Sequence, residues 1–310
     1  MRVFVTGATG YIGSAVVDAL QRASHEVVAL VRHQEKARRL ANRGVDAAVG
    51  TLGNPNTWRQ QASSCDGFIH AAFEPSAKGV EIERIALDTL LELARHAGER
   101  GPASLIYTSG IWVLGAAPEP VDESAVVAPL ELVAWRPAHE QLVLDAASPG
   151  LRAAVIRPGI VYGGSRGIIA DLLASAENGL MRIVGSGENH WPLVYDRDLA
   201  DLYVRVLASE SGRGVFHAND EADEQVRTIA AAIAAHRPHP PDIRFVPLAE
   251  ARTKSPYADV LALDQRVRSP RSHALGWSPS LRSVAGNIPR LFEELRRGRA
   301  ARQEQEHQDS

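Results

Sequence analysis

The chain holds a single cysteine, Cys65, in 310 residues. No intrachain disulfide can form, and a cysteine-based metal site is excluded. Both exclusions fit a reducing compartment, so a cytoplasmic location is expected. Lysine is nearly as scarce: Lys36, Lys78 and Lys254 are the only ones, while arginine and alanine abound. No apolar run approaches the length of a membrane span, and a strand pattern starts at residue 2, which leaves no room for a leader. The net charge of -3 offers nothing to nucleic acid or to an anionic membrane. With 45% hydrophobic and 23% charged residues, the composition is that of a soluble globular protein, long enough for one large or two small domains.

Against these absences stands one dense motif. Val3, Phe4 and Val5 form an apolar strand that runs into Thr6-Gly7-Ala8-Thr9-Gly10-Tyr11-Ile12-Gly13, and a helical pattern follows. Glycines spaced G-x-x-G-x-x-G between a strand and a helix allow a tight turn. They also let a pyrophosphate approach the helix N-terminus, where free N–H groups and the helix dipole favour negative charge. A dinucleotide is therefore expected at Gly7, Thr9, Gly10, Tyr11, Ile12 and Gly13. About twenty positions past the third glycine, where an acidic residue would bind the ribose hydroxyls, the chain has Arg32. A guanidinium there suits a 2′-phosphate, and Lys36 lies one turn further on. NADP(H) is expected.

Strand patterns at 2–6, 26–31, 46–49, 67–71, 103–108 and 152–157 alternate with helical patterns at 11–23, 34–43, 56–62, 79–99 and 130–147. This alternation predicts an α/β fold with a Rossmann-like doubly wound parallel sheet. The regularity loosens near residue 160. The expected organisation is a dinucleotide-binding part over 1–160 and a smaller C-terminal substrate lobe over 161–295, interleaved with the last sheet strands. Within it, helices are expected at 196–209 and 226–235, and strands at 214–218 and 243–246. Residues 296–310 lack an apolar face and are expected to form a disordered tail.

The chain resembles the short-chain dehydrogenase/reductase superfamily, in its extended and atypical branches. The likeness rests on the glycine motif, His70-Ala71-Ala72, Tyr107-Thr108-Ser109-Gly110, Arg157-Pro158-Gly159-Ile160-Val161-Tyr162-Gly163, and two later segments, Trp191 to Ala200 and Leu275 to Pro279. The resemblance implies further cofactor contacts at Ala71, Ala72, Phe73, Thr108, Pro158, Gly159, Ile160 and Val161. It implies substrate contacts at Phe73, Gly110, Trp112, Tyr162, His190 and Trp191, with packing the rival role for Tyr162, His190 and Trp191. His70 is expected beside the cofactor and not as a metal ligand; no metal is expected.

The superfamily works with a tyrosine followed four residues later by a lysine. No such pair exists in this chain. Aligning Glu140-Gln141 with the end of that motif puts Leu132 at the tyrosine position and Arg136 at the lysine position. Arg136 can hold the ribose but is no acid near neutral pH. Ser109, His139 and Tyr195 are the remaining catalytic candidates, with capping or packing as their alternatives. Loss of a positioned acid costs about 10²–10⁴-fold in rate. It favours reduction of an activated ketone, whose alkoxide can take a proton from water or from a neighbouring phenol of the substrate. The expectation is an NADPH-dependent ketoreductase acting on a small-molecule, aromatic ketone, as the likeness to reductases of aromatic polyketide (angucyclinone) pathways implies, and working as a monomer or homodimer. The alternatives are a nucleotide-sugar epimerase or dehydratase, and a non-catalytic NADP(H) sensor.

Overall fold

The computed structural model describes residues 1–308. Seven strands form one parallel sheet: β1 (Arg2–Thr6), β2 (Glu26–Val31), β3 (Asp46–Val49), β4 (Gly67–His70), β5 (Ala103–Thr108), β6 (Leu151–Pro158) and β7 (Gly214–Ala218). Their spatial order is β7-β6-β5-β4-β1-β2-β3. The strands read as near-continuous apolar runs because helices cover both faces. In β1, Val3 and Val5 pack on one side with Val16 and Leu20 of α1 (Tyr11–Arg22). Phe4 packs on the other with Trp58, Leu87 and Leu90, stacking on the Trp58 ring at 5.3 Å.

After β3 the chain crosses back over the sheet and lays β4 on the free side of β1. The direction of winding therefore reverses between β1 and β4. In open α/β sheets the crevice beyond the carboxyl ends of such strands is where ligands bind. Here Thr6 is level with His70, and the chains leaving them are the glycine loop and Ala71-Ala72.

The doubly wound sheet agrees with the sequence expectation, and every sheet strand falls within a residue of its expected interval at either end. The 130–147 pattern does not form one helix. It divides into a single 3-10 turn, Glu131–Val133, and α-helix Arg136–Leu144. Pro137 explains the division: it is tolerated in a first helical turn, whereas in a helix begun at 130 its ring would clash with the carbonyl four residues back.

Beyond β6 the chain builds the lobe. Helix Gly167–Glu177, helix Val226–Ala235 and helix Ile288–Gln308 enclose a separate core around Leu173, Trp191, Ile229 and Phe292. Two parallel strand pairs, Ile160–Tyr162 with Leu193–Tyr195 and Leu180–Val184 with Asp242–Val246, complete it. Between these lobe segments, helix Asp196–Ala208 packs on α1 and the chain returns to the sheet as β7. None of the helices among the described residues is long and apolar enough to cross a membrane.

The expected disordered tail is corrected by the last helix, which continues through Gln308. Polar contacts anchor it around residues 299–302. Arg299 pairs with Glu177 at 2.6 Å, and Arg302 donates to the Ser165 hydroxyl at 2.6 Å. Residues 309–310 lie outside the described residues.

Asp196 opens its helix at the join between sheet and lobe, with Oδ1 buried and unpaired. Burial, then the nearby Glu294 charge, push its carboxyl from the ordinary 3.8 to about 6. The folded state thus holds a proton that the unfolded chain releases, so this group's stabilising contribution is lost as pH rises from 3.8 through about 6. Asp196→Asn is expected to raise the melting temperature at pH 8 and to leave it unchanged below pH 4. A variant that melts lower than wild type at pH 8 would refute this.

Candidate active site

The first part of the site is a groove of about 380 Å³ at the β1–β4 crevice. Its floor is Gly7, Thr9, Gly10, Ala71 and Ala72, and Arg32 and Lys36 line it where the chain leaves β2. Gly7 has φ +70°, and a Cβ on it would stand 2.7 Å from the Ala71 carbonyl carbon. A Cβ on Gly13 would stand equally close, 2.7 Å, to the Gly7 carbonyl carbon. Both positions therefore require glycine. Gly13 itself is buried beneath the loop rather than lining the groove. No side chain caps the first turn of α1 and no acidic residue lies in it, which leaves that turn open to an anion. Arg32 and Lys36 form no ion pair among the described residues, unlike their neighbours Glu35 and Arg39, which pair at 2.6 Å. These features fit a phosphate-bearing dinucleotide.

The groove meets a second, wider cavity of about 690 Å³ at Phe73 and Pro75. The ends of β5 and β6 open into it through Ser109, Gly110 and Pro158 to Val161. Gly159 is again a close approach, since a Cβ there would lie 2.5 Å from the Pro192 carbonyl oxygen. Tyr11, Ile12, Trp112, Leu132 and Arg136 also line the cavity. Leu132 and Arg136 thus stand in one wall.

Arg136 is held by aromatic faces. Its guanidinium carbon lies 4.5 Å from the Trp135 ring centroid and 5.8 Å from that of Phe73, and the two rings stack at 5.0 Å. Its Nη1 donates to the Thr108 carbonyl at 3.2 Å. The Thr108 hydroxyl is engaged away from the cavity, bonded to Tyr203 at 2.6 Å. Ser109 is only 7% exposed and its hydroxyl has no partner. Among the hydroxyls in the wall, that of Tyr11 is already committed, donating to the Gly163 carbonyl at 2.8 Å. No carboxylate or imidazole lines this cavity among the described residues.

Behind the crevice lies a buried polar cluster. The Thr6 hydroxyl shares a 2.6 Å hydrogen bond with His70 Nδ1, and His70 Nε2 is 3.3 Å from Glu83. Burial pushes the Glu83 carboxyl up, but His70, Arg136 and Tyr107 together hold it below the usual carboxylate range. His70 is therefore a strand histidine in a structural cluster, and no group of three or more potential metal ligands occurs among the described residues.

Four expected site residues lie elsewhere. His139 packs edge-on against Trp135, its Nδ1 bonds the Trp135 carbonyl at 3.0 Å, and it is not part of the cavity lining. Tyr195 donates to Glu294 at 2.7 Å and accepts from Arg290, and burial first, then Glu294, push its phenol up to about 12. Tyr162 is fully buried and donates to the Leu281 carbonyl at 2.8 Å. His190 is tied to Asp264 at 2.7 Å. Tyr195, Tyr162 and His190 thus spend their polar atoms on partners inside the protein, whereas His139 Nε2 is buried without one. Trp191 lines a neighbouring cavity, not this one. Conversely, Trp135, Ile168 and Tyr257 line the wide cavity with no motif to announce them.

One ion pair fixes this wall. Arg157, at the end of β6, meets Glu140 through Nε to Oε1 at 3.0 Å and Nη2 to Oε2 at 2.6 Å, with both side chains buried. It ties the Arg136-bearing helix to the Pro158–Val161 segment. Glu140→Ala is expected to destabilise the fold by about 3–5 kcal/mol in denaturant unfolding, because it strands a buried guanidinium. A loss under about 1 kcal/mol would contradict this role.

Comparison with known proteins agrees with this geometry. The family model for the NAD dependent epimerase/dehydratase family matches residues 3–218. An uncharacterised protein of Schizosaccharomyces pombe, C2A9.02, is 35% identical over 240 residues, covering 75% of this chain and 79% of that protein. A 4-hydroxy-2-methyl-3-oxo-4-farnesyl-3,4-dihydroquinoline-1-oxide ketoreductase of Stigmatella aurantiaca is 28% identical over 284 residues, covering 87% of this chain and 84% of the relative. Among solved structures, MoeE5 with UDP-glucose and NAD shares the fold at a TM-score of 0.80 and 19% identity, covering 96% of this chain and 99% of MoeE5. With its glycine cradle at the β1–β4 switch, the chain belongs to the NAD dependent epimerase/dehydratase family of NAD(P)-dependent oxidoreductases.

Proposed function

We propose that the protein is an NADPH-dependent ketoreductase that reduces an activated, ring-bearing ketone without a tyrosine–lysine pair. The observation that carries this reading is the cavity wall, where Leu132 and Arg136, aligned in sequence with the family's tyrosine and lysine, stand among mostly apolar and aromatic residues. Oxidising an ordinary alcohol requires a base for a weakly acidic proton, and no carboxylate, imidazole or tyrosine–lysine pair lines the cavity among the described residues. Reduction requires only that the developing alkoxide be stabilised and protonated.

What the bound cofactor supplies is a hydride for the carbonyl carbon. As that bond forms, the carbon–oxygen π pair moves onto oxygen. The buried, unpartnered hydroxyl of Ser109 donates a hydrogen bond to that oxygen. The proton that completes the alcohol comes from a phenol beside the ketone or from water. Arg136 would hold the nicotinamide ribose and, as an arginine, supplies no proton to the reaction. Phe73, Trp112 and Trp135 offer flat apolar faces to a ring system. Arg32 and Lys36, unpaired in the dinucleotide groove, support NADPH over NADH. The Stigmatella relative, named for reduction of an oxo-dihydroquinoline oxide, supports the ring ketone as substrate class.

A nucleotide-sugar substrate finds little here, because Arg136 is the one cation lining the cavity among the described residues. The sensor reading draws on the same Leu132 and is decided by turnover. Purified protein is expected to consume NADPH with 8-hydroxy-1-tetralone and to leave UDP-glucose unchanged. Tight NADPH binding with no consumption on this or related aryl ketones would overturn the reductase reading. Arg32→Asp is expected to weaken NADPH binding at least tenfold more than NADH binding; equal losses would remove the phosphate role. Ser109→Ala is expected to lower kcat about 10²-fold without abolishing turnover. Complete loss would make Ser109 the proton donor.

A further inference from the structure

We infer that the ketone carries a long apolar chain, and that this chain occupies a second cavity behind Trp112 and Tyr257. The inference rests on the ketoreductase reading for the ring and adds the other half of the substrate. A cavity of about 440 Å³ lies in the lobe and shares Trp112, Gly167, Ile168 and Tyr257 with the wide cavity. The Trp112 and Tyr257 rings stand 6.4 Å apart, tilted by 48°, at this join. Gly167, with φ +85°, contributes no side chain to the passage.

Beyond the join the wall is built from Leu172, Ile183, Val184, Leu261 and the ring of Trp191. Trp191 has its own polar atom satisfied, since Nε1 donates to the Leu261 carbonyl at 3.0 Å. Its indole face is thus apolar toward the cavity. The charged residues of the wall are one of each sign, Asp171 and Arg182, both exposed to solvent, so they lie at the rim. A nucleoside diphosphate needs converging cations to offset its phosphates, and this chamber offers one arginine opposed by one aspartate. An alkyl or isoprenoid chain needs only apolar walls, and each buried methylene tightens binding roughly three- to fourfold. The occupant that fits both chambers at once is therefore a ring ketone with an extended hydrocarbon tail.

The test compares 8-hydroxy-1-tetralone bearing a methyl or an octyl chain on the aromatic ring, at the carbon opposite the hydroxyl-bearing one. Two readouts are used: KM and kcat with NADPH, and tryptophan-fluorescence titration of the NADP+-loaded protein. The octyl ketone is expected to show a KM and a dissociation constant at least fiftyfold lower than the methyl ketone, with kcat within threefold. Ser175 lines only the tail chamber and is half-buried on its helix, so Ser175→Trp fills that chamber from the surface side. It is expected to raise the octyl values to those of the methyl ketone and to leave the methyl values unchanged. Val184→Phe repeats the test from the opposite wall should Ser175→Trp melt early. Equal affinity of the wild type for both chains overturns the inference. So does an octyl preference that survives both substitutions. If neither ketone is reduced, the ketoreductase reading fails. Chain-dependent binding that the substitutions abolish would still establish the tail chamber, and chain-independent binding would overturn it.

Discussion

The site depends on how closely two stretches of backbone pass at the carboxyl ends of β1 and β4. Gly7 turns through positive φ with no room for a Cβ against Ala71, and Gly13 brings α1 down onto Gly7 by the same lack of space. This close packing sets the depth of the dinucleotide groove and the direction of α1. The lobe is then referred to the same loop. Tyr11 reaches Gly163, and Arg166 donates to the Thr9 carbonyl at 3.3 Å. Glu294, from the last helix, accepts from the Gly164 N–H at 3.2 Å and holds that segment from behind. A glycine turn in the first thirteen residues thus positions a loop more than 150 residues later.

The chemistry follows from what surrounds this frame. A reductase of this fold needs a hydride donor held over a carbonyl and some source of one proton. Arg136, beside the stacked Trp135 and Phe73 rings, puts a cation in the cavity wall without offering an acid. An apolar wall raises the strength of any hydrogen bond to the developing alkoxide, because little water competes for it. On the proposed reading, an unpaired serine hydroxyl and a phenol on the substrate would then supply what a tyrosine supplies elsewhere in the family. The same apolar wall gives no help to removal of a proton from an unactivated alcohol.

The sheet, its strand limits and the glycine cradle were legible in the sequence because each is a local matter: apolar runs of strand length, and glycines where a Cβ cannot fit. Leu132 and Arg136 were singled out by their four-residue spacing, although they lie on a 3-10 turn and on the α-helix after it. His139, Tyr162, Tyr195 and His190 were not resolved by sequence, because a polar side chain near a site reads the same whether its partner is a substrate or, as for Tyr195, a glutamate 99 residues away. Tyr257 belongs to a segment without motif and reaches the cavity only through the tertiary fold. The last helix escaped notice for a related reason. Arg299 and Arg302 anchor it to Glu177 and Ser165, contacts that leave no periodic apolar signal.

The central claim is that the proton does not come from a protein acid at the tyrosine position. The most direct measurement is single-turnover reduction of 8-hydroxy-1-tetralone and of its methyl ether by the NADPH-loaded protein across pH 6 to 9. The account predicts that the free phenol is reduced at least tenfold faster, and that the methyl ether slows as pH rises without a protein-derived plateau. Equal rates for the two ketones, governed by one shared ionisation in the enzyme, would show that the protein carries its own acid and would contradict the account.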